Sequence, residues 1–305
     1  MRVVNSVLEL IGQTPIVKLN SLTSPDEADI FVKLENFNPA GGVKDRPGRY
    51  MIEQAEAEGI LNHDSIILEA TSGNTGIGLA MAACIKGYPI VIVMPENMSE
   101  ERKKIMSAMG VRLVLTPAAQ GMQGAVAEAK RMAESDARYF LVKQFENPAN
   151  VKSHELTTGK EIIEQMGNNL DAFVCGVGSG GTITGAGRVL KKALPNILIV
   201  AVEPATSAVL SGKSTGCHLI QGIGAGFIPP VLDFSLINKV ITVEDEDAIA
   251  AARELARKEA LLLGISSGAA IYAAKMLAKE LGPGKRILAI APDGAEKYIS
   301  TELFA

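Results

Sequence analysis

Three loops along the chain contain residue types from which an anion-binding catalytic site can be built. The first, Asn38–Arg46, places Lys44 directly after two glycines and a valine, at the start of a helical pattern. A helix N-terminus carries partial positive charge and burial removes water, and both effects disfavour the protonated form of an amine. Lys44 could therefore act as a nucleophile, although a solvated surface position is the commoner role of a lone lysine. The catalytic interpretation is favoured because two anion-binding loops follow.

The second loop, Glu69–Gly76, lies between a predicted strand and a predicted helix. It offers hydroxyl groups together with the backbone N–H groups of a helix start, a combination that binds a carboxylate. The alternative is a helix N-cap, for which Ser, Thr and Asn are preferred. A cap needs one such side chain, whereas this loop has four, so we favour a binding site. The four polar side chains are Thr71, Ser72, Asn74 and Thr75.

The third loop, Gly176–Thr182, has the features of a phosphate-binding loop. A strand pattern precedes it, a helix pattern follows, and its glycines allow the backbone to approach a ligand closely. The loop also matches G-x-G-x-x-G, with Glu203 at the end of the next strand, so an NAD(P)-dependent oxidoreductase is a competing interpretation. That interpretation is weaker because Glu203 lies beyond the expected spacing of ~20 residues and because it gives the other two loops no role.

Composition places the chain among globular proteins. Its 305 residues suit about two domains, and it has 47% hydrophobic residues and no tryptophan. A net charge of −4 argues against a nucleic-acid partner, and no apolar run is long enough for a membrane span. The 3 cysteines are far apart in the chain, which suggests reduced thiols in the cytoplasm. The 3 histidines lack metal-ligand spacing, so we expect no metal.

Alternating strand and helix patterns predict an α/β fold of two three-layer domains with mostly parallel sheets. The pattern restarts after Asn147–Asn150, so we place an N-terminal domain at residues 1–147 and a C-terminal domain at 148–305, with part of 12–40 able to cross to the other domain. Strand patterns at 16–19 and 30–34 are expected to pair. We also predict a short helix at 1–10, one long helix at 151–166 and a helix at 245–262.

The segment Gly264–Gly268 formally matches the G-x-S-x-G motif of serine hydrolases. In that fold the catalytic histidine follows the serine, whereas all 3 histidines of this chain precede Ser266. A serine hydrolase is therefore set aside. At the start of a helix, Ser266 could cap the helix or offer its hydroxyl to a ring nitrogen of a bound cofactor.

Taken together, these loops resemble the cysteine synthase (O-acetylserine sulfhydrylase) family of fold-type II pyridoxal-phosphate enzymes, which have a tryptophan synthase β-like fold. The likeness runs along nearly the whole chain, and the motifs stand in the family's order. They are Ile11–Pro15, Asn38–Arg46, Thr71–Gly76, Gln144–Phe145 with Asn147–Asn150, Gly178–Thr182, Gln221–Pro229, Gly264–Ala269 and Tyr298–Ser300.

The resemblance implies a role for each loop in holding pyridoxal 5'-phosphate and an amino acid. Lys44 would carry the cofactor as an internal aldimine, Asn74 would contact its ring hydroxyl and Ser266 its pyridine nitrogen. The cofactor phosphate would be bound by Gly178, Ser179, Gly180, Gly181 and Thr182. The substrate carboxylate would be bound by Thr71, Ser72, Gly73, Thr75 and Gln144.

The implied reaction forms L-cysteine and acetate from O-acetyl-L-serine and sulfide through an α-aminoacrylate intermediate. Two residues beside the lysine depart from the family pattern: Gly42 replaces the common serine and Pro47 the usual aliphatic residue. They leave open a related β-replacement or cysteine lyase activity with O-phosphoserine, serine or cysteine as donor. The family further implies a homodimer and docking of the C-terminal tail of serine acetyltransferase.

Overall fold

The computed structural model describes residues 3–305 as two sheets and the helices around them. The strands are β1 (Ile16–Lys18), β2 (Asp29–Leu34), β3 (Ile66–Ala70), β4 (Ile90–Pro95), β5 (Arg112–Thr116), β6 (Tyr139–Leu141), β7 (Ala172–Gly176), β8 (Leu198–Pro204), β9 (Lys239–Val243) and β10 (Arg286–Ala291). The helices are α1 (Asp45–Ala57), α2 (Asn74–Lys86), α3 (Glu100–Ala108), α4 (Gly121–Ser135), α5 (Pro148–Leu156), α6 (Thr158–Met166), α7 (Gly181–Ala193), α8 (Asp245–Glu259) and α9 (Ile265–Leu281).

Contacts within the chain define two compact units. Unit 1 contains the chain up to Ile11 together with Asn38–Ser153, and unit 2 contains Gly12–Phe37 together with His154–Ala305. Residues 12–37 thus belong with the C-terminal half because β2 pairs in parallel with β10, the last strand of the chain.

Unit 1 is built on a four-stranded parallel sheet in the order β5-β4-β3-β6. Every residue of β4 is buried, as expected for a strand covered on both faces. Side chains of α1, α2 and α3 pack against one face of the sheet, and those of α4 pack against the other. Unit 1 is therefore a three-layer α/β sandwich.

Unit 2 is built on a six-stranded sheet in the order β1-β2-β10-β7-β8-β9. Its described strands run parallel except for β1, which lies antiparallel to β2 at the edge. Helices α8 and α9 cover one face, and α6 and α7 cover the other. Helix α9 is buried along most of its length, which agrees with its nearly continuous apolar sequence.

The predicted fold class and the pairing of the first two strands are confirmed. Three predicted helix boundaries are wrong. The segment 151–166 is two helices, α5 and α6, because Thr157 between them has a non-helical ψ of −81°. The helix predicted at 245–262 ends at Glu259, where Ala260 takes the left-handed conformation. The helix predicted at 1–10 is a 3-10 turn at Val7–Leu10, and residues 1 and 2 lie outside the described part.

Helices α1 and α2 meet at a contact between backbones that fixes the start of α1. A Cβ added to Gly78 would overlap the carbonyl oxygen of Lys44, and a Cβ added to Gly48 would overlap the backbone of Gly78. The same Lys44 carbonyl accepts the N–H of Gly48 at 2.8 Å. The backbone of Lys44 is therefore held against α2 with no side chain between them.

This contact predicts that Gly78→Ala lowers the free energy of unfolding by about 3 kcal/mol, because backbone atoms must move to admit one methyl group. Gly187→Ala is the matched control: it lies inside α7, and its Cβ would meet neighbours at an ordinary 3.6 Å. The control should be neutral or stabilising by about 0.5–1 kcal/mol, because alanine favours the helix. Urea unfolding measures both. Equal stability of the two variants would contradict the packing described.

Candidate functional site

Lys44 occupies the N-cap position of α1 and is half-buried. The loop before it is closed by its own backbone and by Asp45, whose carboxylate accepts the N–H of Ala40 at 2.6 Å. Asp45 is buried in the first turn of α1, where a carboxylate interacts favourably with the helix dipole. The loop and the α2 contact together fix the point from which the Lys44 side chain extends.

The hydroxyl-rich segment Thr71–Gly76 follows β3, as predicted, and its last three residues, Asn74–Gly76, form the start of α2. Gly73 is the N-cap of α2, and no side chain caps that helix. The hydroxyl of Thr71 instead accepts the N–H of Gly73 at 3.2 Å. The polar side chains of this loop are therefore not used for capping, which was the alternative interpretation of their presence.

Thr75 and Gln144 come together although 69 positions separate them. The Thr75 hydroxyl donates to Oε1 of Gln144 at 2.7 Å, and both residues are buried. The backbone carbonyl of Gln144 accepts from the side-chain amide of Asn150 at 2.8 Å. Because Thr75 occupies the side-chain Oε1 of Gln144, the Nε2 hydrogens of the same amide are directed to other partners. Such donors suit recognition of an anion.

Glu69 is a buried carboxyl group behind this loop that the sequence analysis did not single out. Its two oxygens accept the N–H groups of Lys143 at 2.8 Å and of Gln144 at 3.3 Å. Burial raises the pKa of Glu69 to about 7, although hydrogen bonds from Gln144 and Lys143 oppose the rise and the charge of Glu146 adds to it. A signal was available: Glu69 is an acidic residue in an otherwise apolar strand, next to the loop.

The glycine loop of unit 2 joins β7 to α7. Gly180 is the N-cap of α7, with a left-handed φ of 82°, and no side chain caps the helix. A Cβ on Gly178 would overlap the carbonyl oxygen of Gly222. The first turn of α7 contains no acidic residue, so its N–H groups and the helix dipole favour an anion.

His154 holds one hydroxyl of this loop. Its Nε2 lies 3.2 Å from the Thr182 hydroxyl, and its Nδ1 lies 2.9 Å from the Thr158 hydroxyl. The ring is fully buried. No local pattern links His154 to this loop, because Thr182 lies 28 positions further along the chain.

Ser266 lies in the first turn of α9 and is buried. The N-cap of that helix, Gly264, donates its N–H to the Asp293 carbonyl at 3.1 Å. The Tyr298 hydroxyl in turn donates to the Asp293 carboxylate at 2.8 Å. The segment after β10 thus anchors the start of α9.

Glu203 does not have the environment of a dinucleotide ligand. It is buried, and its carboxylate accepts the N–H groups of Leu210 and Ser211 at 2.8 and 2.9 Å and the Ser211 hydroxyl at 2.6 Å. The chain's own donors therefore occupy the acidic group that an NAD(P) site would need for the ribose.

Residues 3–305 also bear on two other classes of feature, membrane-spanning helices and metal sites. No helix in this range is both long and apolar enough to cross a membrane. Within the same range, His, Cys, Asp and Glu side chains form no group of three or more that could hold a metal ion.

Comparison with known proteins decides the family. The family model described as "Pyridoxal-phosphate dependent enzyme" matches residues 7–293. The chain belongs to this family. A cysteine synthase of Staphylococcus aureus is 50% identical to this pyridoxal-phosphate dependent enzyme over 303 residues, which cover 99% of this chain and 97% of that protein. The resemblance drawn from the motifs is confirmed, and pyridoxal phosphate is the cofactor.

Solved structures give the same result for the fold. The cysteine synthase of Entamoeba histolytica has a TM-score of 0.96 and 42% identity, covering 99% of this chain and 91% of that one. An O-acetylserine dependent cystathionine β-synthase of Helicobacter pylori has a TM-score of 0.95 and 39% identity, covering 100% of both chains. The fold-type II architecture of this pyridoxal-phosphate dependent enzyme is therefore established.

The residues present fit the cofactor. Its phosphate needs several N–H donors at close range, and the Gly178–Thr182 loop offers the start of α7 with no capping side chain and no acidic neighbour in the first turn. Its aldehyde needs an amine fixed in position, and Lys44 extends from a backbone clamped by Gly78.

The contact at Gly178 predicts that Gly178→Ala weakens retention of pyridoxal 5'-phosphate by at least about tenfold. A methyl group at that position displaces either the phosphate loop or Gly222, and the N–H donors lose their alignment. Titration of the cofactor-free protein with pyridoxal phosphate, followed by fluorescence, gives the dissociation constants. Gly187→Ala, at mid-helix in the same α7, should bind as wild type does; unchanged binding by Gly178→Ala would contradict the prediction.

Proposed function

We propose that this enzyme forms L-cysteine and acetate from O-acetyl-L-serine and sulfide. The observation that carries the proposal is the 50% identity with a cysteine synthase along 99% of the chain. The loops described above contain the groups that this chemistry needs: an amine, a phosphate site and a carboxylate site.

In this proposal each residue has the role towards the cofactor that the family resemblance implies. Nζ of Lys44 would bond to the aldehyde carbon of the cofactor, and Asn74 would contact the ring hydroxyl. The hydroxyl of Ser266 would meet the pyridine nitrogen. The phosphate is bound by Gly178, Ser179, Gly180, Gly181 and Thr182. Units 1 and 2 then correspond to a Lys44-bearing and a phosphate-binding domain.

The substrate carboxylate is bound by the loop at the start of α2 and by Gln144. Backbone N–H groups at a helix N-terminus and hydroxyl donors stabilise a carboxylate, and Gln144 adds amide donors. These residues orient the amino acid so that one bond at its Cα is aligned for cleavage. They are Thr71, Ser72, Gly73, Thr75 and Gln144.

Lys44 also has a second role, as the base. When bound, the cofactor withdraws electrons from Cα of the amino acid. Once the amine of the substrate has displaced it from the cofactor, Nζ of Lys44 would be free to remove the Cα proton; acetate would then leave from Cβ, sulfide would add at Cβ, and Nζ would return a proton to Cα. The position of Lys44 at the positive end of α1 favours the neutral amine that this step needs. An uncharged hydroxyl such as that of Ser266 does not stabilise a protonated ring nitrogen, which limits charge build-up and favours elimination.

A second candidate shares the donor but differs in the thiol. The Helicobacter pylori protein with the same fold is described as an O-acetylserine dependent cystathionine β-synthase. O-phosphoserine, serine and cysteine also remain as donors, because Gly42 and Pro47 depart from the family pattern beside the lysine.

We extend the proposal to partners and location. The family resemblance supports a homodimer that docks the C-terminal tail of serine acetyltransferase. The cysteines Cys84, Cys175 and Cys217 are free thiols, in keeping with the reducing cytoplasm.

Lys44→Ala is expected to lower the rate of cysteine formation by at least about a thousandfold, because one substitution removes both the covalent attachment and the base. Cysteine released from O-acetyl-L-serine and sulfide is measured directly. Lys104→Ala, at an exposed lysine on α3, is the control and should keep full activity. Residual turnover of Lys44→Ala near the wild-type rate would refute the role.

The proposed reaction predicts that O-acetyl-L-serine with sulfide has the highest kcat/KM, roughly tenfold above any other pair of donor and nucleophile. Donors to compare are O-acetylserine, O-phosphoserine, serine and cysteine, each with sulfide and with the larger thiol L-homocysteine. A preference for homocysteine would favour the second candidate, and a preference for O-phosphoserine would replace the donor while leaving the cofactor assignment intact.

A further inference from the structure

Glu69 stands at the centre of a small polar network in unit 1 that the catalytic roles above do not use. It is the fourth residue of β3, 3% exposed, and it pairs across the sheet with Ile92 of β4. A carboxyl group so deeply buried needs several hydrogen-bond donors to be tolerated. Its donors come from one place, the turn that follows β6.

That turn, residues 142–147, is called the Lys143 turn here. Val142 continues the ladder by donating its N–H to the Leu68 carbonyl at 3.0 Å. Lys143 then takes a positive φ of 55°, which is unfavourable for a residue with a side chain. One Glu69 oxygen accepts the N–H of Lys143, and the other accepts the N–H of Gln144. The carboxylate thus holds two successive amides at the point where the backbone turns.

The same carboxylate acts on the side chain of Gln144. The Gln144 backbone N–H is held by Glu69, while the Gln144 side-chain Oε1 accepts from the Thr75 hydroxyl. With the backbone fixed by Glu69 and the oxygen end fixed by Thr75, the side-chain amide has one preferred orientation. Gln144 is also the residue proposed above to bind the substrate carboxylate, so its orientation matters for binding.

Few charges act on Glu69. Glu146, in the Lys143 turn, is the charged group whose repulsion contributes to its pKa of about 7. The Nζ of Lys143 lies 3.8 Å from the Glu146 carboxylate, and both of these side chains are about half exposed. From the neighbouring strand β4 the facing residue is the apolar Ile92. The ionisation of Glu69 therefore depends mainly on its burial and on the donors of the Lys143 turn.

We propose that Glu69 is a positioning residue: as a carboxylate it holds the Lys143 turn and fixes the Gln144 amide for binding of the substrate carboxylate. This inference rests on the proposed role of Gln144. When Glu69 is protonated, one of its oxygens carries a hydrogen and only the other remains a good acceptor. One of the two backbone N–H groups of the Lys143 turn then loses its acceptor. Substrate binding then weakens while the chemistry at Lys44 is unaffected.

The first test is Glu69→Gln in the holoenzyme. The amide has the shape of the carboxyl group but one acceptor fewer, so at pH 8 KM for O-acetyl-L-serine should rise about tenfold while kcat stays within about twofold. Glu146→Gln, in the same turn but exposed, is the control and should leave KM at pH 8 unchanged. A fall in kcat with unchanged KM would overturn the proposal.

The second test follows the ratio of the two KM values, Glu69→Gln over wild type, against pH. The ratio removes the effect of substrate ionisation on KM, because that effect is the same for the variant and for wild type. The ratio should be about ten above pH 8 and fall towards one below pH 6, because protonated Glu69 resembles glutamine. A ratio that is constant over this range would overturn the proposal, since a merely structural glutamate would give that result.

The third test asks whether Glu69 acts through Gln144. In a Gln144→Ala background the additional change Glu69→Gln should raise KM less than twofold, because the side chain to be oriented is gone. A full tenfold effect in that background would overturn the proposal. If Glu69→Gln does not fold, the ratio of KM in Gln144→Ala to KM in wild type still tests the proposal. This ratio should fall as the pH is lowered through 7, because protonation of Glu69 removes the benefit of Gln144 in wild type. A ratio that does not change with pH contradicts the proposal.

Failure of this inference is separable from failure of the proposed function. The dissociation constant of L-serine, read from the absorbance change of the holoenzyme, reports carboxylate binding whichever donor is the true substrate. It should rise about tenfold in Glu69→Gln at pH 8. If wild type does not turn over O-acetyl-L-serine but this shift occurs, the proposed function is wrong and the positioning role stands; if the shift is absent in an active enzyme, the reverse holds.

Discussion

Contacts of backbone against backbone hold the functional loops of this protein. At the start of α1 the carbonyl of Lys44 lies against Gly78, and in unit 2 Gly178 lies against the carbonyl of Gly222. Such contacts leave no side chain that could change rotamer, so the position of each loop is set by the packing of whole elements. The amine of Lys44 therefore starts from a fixed point, which is a condition for both of its proposed roles.

The helices that begin in the functional loops share a second feature. The N-caps of α2, α7 and α9 are Gly73, Gly180 and Gly264, and none of these helices has a capping side chain. The residue at the N-cap also makes no side-chain capping bond in α1, α4, α6 and α8, whereas α3 is capped by the Ser99 hydroxyl. What distinguishes α2, α7 and α9 from α1, α6 and α8 is that their first turns contain no acidic residue. A helix start without a cap and without an acidic residue suits the anion sites proposed there.

Local sequence patterns predicted the features of the fold that depend on residues close together in the chain. The strand and helix alternation and the three loops could be predicted from neighbouring residues, and the structure contains them. The resemblance to known enzymes added the residue roles. What could not be predicted depends on contacts distant in the chain: Glu69 meets the Gln144 backbone 75 residues away. The break at Thr157 could not be predicted because the helical periodicity continues through it.

The most direct test of the account is the site of covalent attachment of the cofactor. The purified protein, loaded with pyridoxal 5'-phosphate, is reduced with borohydride, digested, and its peptides are sequenced by mass spectrometry. The account predicts a pyridoxyl group on Nζ of Lys44 and on no other lysine. A pyridoxyl group on a different lysine, or its absence from a protein that retains the cofactor, would contradict the central role of Lys44.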